Sequence, residues 1–306
     1  MAVLESVIGA IGQTPLVELG RIRDDLALSG RILAKLDYLN PGLSKKDRAA
    51  RAIIEAARAS GALRPGQTVV ELTSGNMGTG LAIVCAVLGH PFVAVMSAGN
   101  TPERARMMRA LGAEVVLVAQ ADGARPGEVS GADLALVEAE AQRITDARGA
   151  FRADQFAHPG NPAAHESGTA PEIWEQSGHA VTAFCDFAGS GGTLGGAARF
   201  FGPREVRCYQ VAPDAPAHPI QGGGYSMPDL THLRDTNLAG TVTISGNEAA
   251  ANARFLACCE GIFGGYSSGA NLAAAIRLLQ GPEKGGCVAF VVCDSGLKYL
   301  STDLWE

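Results

Sequence analysis

Along most of the chain, short apolar runs rich in β-branched residues alternate with longer runs whose apolar positions recur at helical spacing. Residues 68–73, 91–97 and 113–119 read as strands, with helices over 78–88 and 101–111 between them. Thr101-Pro102-Glu103 supplies a cap, a proline in the first turn and an acid, which together mark a helix start. Gly89 and Gly112 fall just past these helices, where a left-handed residue closes the last turn. A polar stretch over 120–130 breaks the rhythm before another helix at 132–148. The alternation resumes over 180–188, 193–201, 207–212, 247–260, 268–279 and 287–293. Strands that are apolar almost throughout, each followed by a helix, belong to parallel sheets covered on both faces. The expectation is therefore an α/β protein of two lobes, each a mostly parallel twisted sheet covered by helices. The smaller lobe would take residues 42–150 and the larger 1–41 plus 151–306, with the last strand ending close to Glu306.

Composition narrows the class of partner. The 306 residues are 47% hydrophobic and 18% charged, enough to bury two substantial cores. A net charge of −6 with no basic stripe argues against nucleic acid or an anionic membrane as partner. No apolar run reaches the roughly 18 residues of a membrane span, and the start lacks the positive segment of a signal peptide. Seven scattered cysteines without a CxxC pair read as buried thiols of a reduced, cytoplasmic protein. The six histidines show no ligand spacing with them, so no metal is expected.

The densest chemical signal is Asn40-Pro41-Gly42-Leu43-Ser44-Lys45-Lys46-Asp47-Arg48. Pro41 and Gly42 break a strand-like run over 31–39, and Ser44 suits the N-cap of an Ala-rich helix from Lys45 to about Ser60. A lysine in the first turn sits where the helix dipole disfavours positive charge, and burial would lower its pKa further. A partly neutral amine is what a Schiff base with an aldehyde cofactor needs. A solvated pair of surface lysines would read the same way.

Three turns rich in glycine and hydroxyl residues precede helices. Gly189-Ser190-Gly191-Gly192-Thr193 follows an apolar strand, so its N–H groups and the helix dipole could enclose one terminal phosphate. It lacks the lysine of a Walker A loop and the spacing of a dinucleotide fingerprint. Thr73-Ser74-Gly75-Asn76-Met77-Gly78 could gather donors on an anion, with Asn76 offering an amide to a phenolic oxygen. In Gly264-Gly265-Tyr266-Ser267-Ser268-Gly269, a serine could face a ring nitrogen or simply cap the helix. Tight packing turns would use the same residue types. All three are expected at carboxyl ends of parallel strands, where open α/β sheets place their sites.

Taken together, these segments resemble the pyridoxal-phosphate enzymes of the tryptophan-synthase-β type (fold type II), and within them the cysteine synthase (O-acetylserine sulfhydrylase) and cystathionine β-synthase group. The likeness starts at Ile11-Gly12-Gln13-Thr14-Pro15-Leu16-Val17 and covers nearly the whole chain. Gln155-Phe156, Pro171-Glu172-Ile173-Trp174 and the segment from Asp294 to Thr302 fit it as well. The resemblance implies pyridoxal 5′-phosphate in the cleft between the lobes, with Lys46 rather than Lys45 as the Schiff-base lysine. It implies Asn76 beside the phenolic oxygen, Gly189, Ser190, Gly191, Gly192 and Thr193 around the phosphate, and Ser267 at the pyridine nitrogen. Thr73, Ser74, Gly75, Asn76 and Met77 would hold the substrate carboxylate, with Gln155 and the glycine-rich segment around Gly223 also near the amino acid. Where the family usually carries threonine this chain carries Met77. A hydroxyl donor would be lost and a larger apolar side chain would enter the site, which bears on cysteine synthase activity and not on cofactor binding.

The implied reaction is β-replacement on an O-activated L-serine-like amino acid through an aminoacrylate, with sulfide or another small nucleophile. Replacing Lys46 by Ala would then abolish turnover and replacing Lys45 would spare it. The alternatives are β-elimination to a 2-oxo acid and ammonia, or a non-catalytic family member acting as a regulatory partner. The resemblance further suggests a homodimer.

Overall fold

The computed structural model describes residues 3–123, 129–215, 218–221 and 230–306. Its strands are β1 (Leu16–Glu18), β2 (Arg31–Lys35), β3 (Val69–Leu72), β4 (Phe92–Ser97), β5 (Glu114–Val118), β6 (Phe151–Arg152), β7 (Ala183–Phe187), β8 (Arg207–Pro213), β9 (Gly240–Ile244) and β10 (Cys287–Val291). They form a six-stranded sheet of order β1-β2-β10-β7-β8-β9 and a four-stranded sheet of order β5-β4-β3-β6. Every pairing is parallel except β1 with β2 at one edge. This is the expected α/β architecture.

The apolar strands serve two faces at once. In β4, Phe92, Ala94 and Met96 enter one core of the smaller sheet while Val93 and Val95 enter the other. In β10, Val288 and Phe290 face one core of the larger sheet and Ala289 and Val291 the opposite one. Successive strand side chains point to opposite faces, so a sheet covered on both sides needs such continuous runs.

Several boundaries differ from the sequence reading. The run over 31–39 stops as a strand at Lys35, and Asp37–Leu39 forms a 3-10 turn. The last strand ends at Val291, well before Glu306, and 3-10 turns at Gly296–Tyr299 and Asp303–Trp305 follow it. Ser295 and Thr302 cap these turns with their side chains, favouring tight turns over another strand. The turn before Tyr266 follows the helix Gly246–Glu260 instead of a parallel strand, and Gly264 bridges to Ser295. β9 was not anticipated, although its Thr-Val-Thr-Ile run has strand period. The smaller sheet extends one strand beyond residue 150, through β6. Of the seven thiols Cys258 is exposed and Cys259 half-buried, because both lie near the solvent-facing end of Gly246–Glu260. Among the described residues no helix is long and apolar enough to cross a membrane.

The helix that begins at the paired lysines runs Lys46–Ala59, with Lys45 rather than Ser44 at its N-cap. The Ser44 hydroxyl accepts only a long 3.3 Å bond from the Lys46 N–H. Ala49, Ala50, Ile53, Ile54 and Ala57 form its buried face. This face packs closely on the helix Asn76–Leu88: a Cβ built at Gly80 would lie 3.0 Å from the Ala50 Cβ and 3.2 Å from the Lys46 carbonyl oxygen. Two residues into the helix, the Arg48 guanidinium bonds both Asp37 and Glu172, and Glu172 also meets Lys35 at 2.7 Å. All four charges are buried. The network therefore fastens the lysine-bearing helix to β2 and to the helix Ala170–Gln176.

Burial alone would raise the Glu172 pKa, but its bonds to Arg48 and Lys35 outweigh this and bring it down to about 2. A carboxyl lowered on folding stabilises the protein above the ordinary carboxylate range, and that contribution is lost as pH falls towards 2. Glu172→Gln is expected to lose about 3–5 kcal/mol at neutral pH by leaving Arg48 and Lys35 undercompensated. In chemical denaturation, the gap from wild type should narrow as pH is lowered below about 5; a gap independent of pH contradicts this account.

Candidate active site

A cavity lies where the carboxyl ends of β3, β7 and β10 converge. Lys46, Asn76, Gly189, Ser190, Gly191, Gly192, Thr193 and Ser267 all line it, as do Lys45, Asp186, Phe187, Gln221 and Cys293. Eight residues singled out in the sequence thus meet at one place from four separate segments.

The two lysines diverge in environment although they are neighbours in sequence. The Lys45 backbone N–H donates to the Cys293 carbonyl, and its ammonium donates to both Asp186 oxygens, at 2.7 and 2.6 Å. Burial works against that charge, but the Asp186 carboxylate, with Cys293 beside it, holds the Lys45 pKa above the ordinary lysine value. The Lys46 amine instead donates to the Ser190 hydroxyl at 3.2 Å. Burial, followed by the adjacent Lys45 charge, lowers its pKa to about 8. The amine expected to be reactive is thus the one left without a carboxylate bond.

The glycine loop 189–193 is built as an anion cradle. Gly191 has φ +81°, a conformation L side chains rarely adopt, and it starts the helix Gly192–Phe201. A Cβ at Gly192 would collide with the Asn161 amide, whose Oδ1 is buried without a hydrogen-bond partner. Asn161 Nδ2 fixes the loop by donating to Ser190 Oγ at 2.9 Å and to the Gln155 carbonyl at 2.7 Å. Thr193 lies 3.3 Å from the His165 ring. No acid interrupts 189–193, and the first N–H groups of the helix have no intrahelical partner. This donor set, facing a free amine, fits a phosphorylated aldehyde.

The serine pair divides its tasks. Ser267 lines the cavity. Ser268 is fully buried and accepts the Cys293 N–H at 3.0 Å, bracing the end of β10.

Other expected residues lie behind this wall. The Thr73 hydroxyl accepts the Gly75 and Gly78 N–H groups, both at 2.9 Å, and so shapes its own turn. The Ser74 carbonyl accepts from Arg104, and Gly75 packs on the Arg104 stem. Met77 is 2% exposed in the core that includes Leu81, Met96 and Met108. The larger side chain therefore does not enter the cavity, contrary to the sequence expectation; the helix starting at Asn76 turns it inward. Gln155 bonds through Nε2 to the Leu72 carbonyl at 3.0 Å and does not line the cavity. Asn76 lines it, but its amide donates to Asp294 and accepts from Lys298, both at 2.8 Å. Gly223 lies outside the described residues.

Asp186 is the main residue that sequence reasoning missed. Its signal was present: one acid in the apolar run Ala183-Phe184-Cys185-Asp186-Phe187, immediately before the glycine loop.

Comparison with known proteins agrees with this construction. The family model described as "Pyridoxal-phosphate dependent enzyme" matches residues 7–294. The chain belongs to that family. Its cofactor is pyridoxal 5′-phosphate, and the family likeness expected from the motifs holds. A cysteine synthase of Staphylococcus aureus is 36% identical over 314 residues, covering 99% of this chain and 97% of the relative. The O-acetylserine-dependent cystathionine β-synthase of Helicobacter pylori superposes with a TM-score of 0.90 at 29% identity, over 100% of both chains. Cysteine synthase of Entamoeba histolytica gives 0.90 at 31% identity, over 99% of this chain and 91% of that one. This member of the pyridoxal-phosphate family is an enzyme acting on small molecules.

In full-length protein freed of cofactor, Lys46 is expected to reach half its maximal reactivity towards acetic anhydride near pH 8, following its lowered pKa. Lys45 should resist labelling over the same range because it remains a paired ammonium. Coincident midpoints for the two lysines refute the contrast.

Proposed function

We propose that this enzyme carries out β-replacement on an O-activated L-serine, exchanging the Cβ oxygen substituent for sulfide or another small nucleophile. The observation that carries the reading is the half-buried Lys46 amine, which bonds Ser190 rather than a carboxylate and faces the glycine cradle of 189–193. The cysteine synthase and O-acetylserine-dependent relatives support the choice of chemistry.

In this reading Lys46 holds the cofactor covalently, and the N–H groups and hydroxyls of Gly189, Ser190, Gly191, Gly192 and Thr193 hold its phosphate. Bound there, pyridoxal phosphate supplies the conjugated electron sink for a carbanion at the substrate Cα. Once displaced by substrate, Lys46 takes the α-proton and later returns it. A pKa of about 8 keeps a sizeable neutral fraction at mildly alkaline pH. Ser267 would give the ring nitrogen an uncharged partner, which would moderate the electron sink and favour loss of a Cβ leaving group over transamination. With O-acetylserine and hydrogen sulfide, the Cβ–O bond breaks, acetate departs, a Cβ–S bond forms and the product is cysteine.

Asn76 would exchange its Asp294 bond for the cofactor's phenolic oxygen. The turn Thr73, Ser74, Gly75, Asn76 and Met77 would receive the substrate carboxylate, with the N–H groups of Thr73 and Gly75 already holding the turn itself, so the inward Met77 side chain need not disturb it. Gln155 would join that contact. We place the enzyme in the cytoplasm as a homodimer, following the sequence expectation.

Borohydride reduction of the holoprotein and peptide mapping are expected to find the cofactor on Lys46, and Lys46→Ala should abolish turnover. Gly192→Ala should weaken cofactor retention at least about tenfold, since its methyl group would displace Asn161 from the loop. O-acetyl-, O-phospho- and unmodified serine, each with sulfide, should separate in cysteine formation. Release of 2-oxo acid without any nucleophile would point to β-elimination instead.

A further inference from the structure

The cavity presents two amines and one carboxylate, and the way they pair is not dictated by their order in the chain. Lys45 takes both oxygens of Asp186, which sits at the end of β7. Asn271 supports that carboxylate by donating to its Oδ1 at 3.2 Å, and donates to the Val291 carbonyl at 2.9 Å. The Cys293 thiol lies 3.7 Å from the same Oδ1. Lys45, Asp186 and Asn271 are all buried. Lys46, one residue away and lining the same cavity, makes its bond to Ser190 of the glycine loop.

We propose that Lys45 is a positioning residue for the reactive amine: by occupying Asp186 it keeps that carboxylate from capturing Lys46, and so leaves Lys46 directed at the cofactor. This rests on Lys46 being the cofactor lysine, as proposed above. Neither Lys45 nor Asp186 needs to touch the reacting atoms.

Without Lys45, Asp186 would be a buried carboxylate lacking a cation, with Lys46 as the cavity's remaining ammonium donor. Such an uncompensated charge is strongly unfavourable, so a flexible lysine within reach would turn towards it. The other titratable groups that act on Lys46 or feel its charge are Glu71, Cys293, His165 and His232. Glu71 belongs to β3, Cys293 follows β10, His165 packs behind Thr193, and His232 bonds the Gln155 carbonyl. Glu71, His165 and His232 bond groups other than Lys45. Cys293 is bonded to Lys45 through its thiol and through its carbonyl, and the carbonyl bond, made by the Lys45 N–H, stays in place when the side chain is altered. The expectation that Lys45 can be replaced without effect therefore changes: the loss matters while Asp186 remains, and is relieved when both go.

The test compares wild type, Lys45→Met, Asp186→Ala and the double variant, all full-length. Lys46 reactivity is measured against pH in cofactor-free protein, and borohydride-trapped cofactor is mapped in the reconstituted enzyme. In Lys45→Met the Lys46 midpoint is expected to rise by about one pH unit or more, as for an amine gaining a close opposite charge. The cofactor trapped on Lys46 at neutral pH should fall in parallel. The double variant should return both readings to near wild type, which a merely structural role for Lys45 would not do. Asp186→Ala should expose Lys45 to labelling without raising the Lys46 midpoint, and it keeps the proposal testable if Lys45→Met folds poorly. Trapping on Lys46 with the same midpoint in all four proteins overturns the inference alone. Trapping elsewhere in wild type overturns the catalytic reading and this inference with it.

Discussion

Two adjacent ammonium groups cannot both be buried in one small cavity without a partner, and the site is arranged around that constraint. Charge in a low-dielectric interior is tolerated where it is paired and hydrogen-bonded. Asp186 meets the requirement for Lys45. Lys46 meets it differently, by holding its proton less tightly and resting against a hydroxyl. One carboxylate placed at the end of a strand thus separates a structural cation from a reactive amine. Ser267 and Cys293 continue the same wall, and the Cys293 thiol beside Asp186 joins the end of β10 to the end of β7.

That separation survives only if the start of the helix is held firmly. Arg48, with Asp37, Glu172 and Lys35, anchors it to the larger sheet. Gly80 lets it approach the helix Asn76–Leu88, which belongs to the smaller sheet. On the far side of the cavity, Asp294 receives Asn76 and the Tyr299 hydroxyl, while Lys298 reaches the Gly42 carbonyl. Buried polar contacts therefore hold the cavity walls from both sheets, and an apolar boundary would not fix the register of the lysines so closely. The Asn76 amide is engaged in one of these contacts, which links cofactor recognition to the fit between the sheets.

The fold was readable where the physical signal is local. Continuous apolar runs announced doubly covered strands, and Gly89 and Gly112 adopt the left-handed conformations their positions suggested. The runs failed where tertiary packing chooses among equivalent local patterns. Residues 31–39 look uniformly strand-like, yet partners exist only as far as Lys35, after which Asp37 turns to meet Arg48. The turn at 264–269 resembled the end of a strand because it has the same glycine and serine content, although a helix precedes it. Met77 shows the limit most plainly, since a motif cannot say which way the first turn of a helix rotates its side chain.

By itself the sequence determined the alternating architecture, the glycine cradle, the presence of a lysine at a helix start and, through its motifs, the family. These follow from backbone preferences and residue chemistry within a few positions. Tertiary structure alone decided which lysine would be paired, which serine would face the cavity, and that Met77 would be turned away. The pairing depends on a charge more than a hundred residues distant along the chain, Asp186 beside Lys45, and Met77 is turned by packing on Leu81, Met96 and Met108. The free energy of a buried charge is set by the atoms packed around it, and neighbouring residues in the sequence do not specify them.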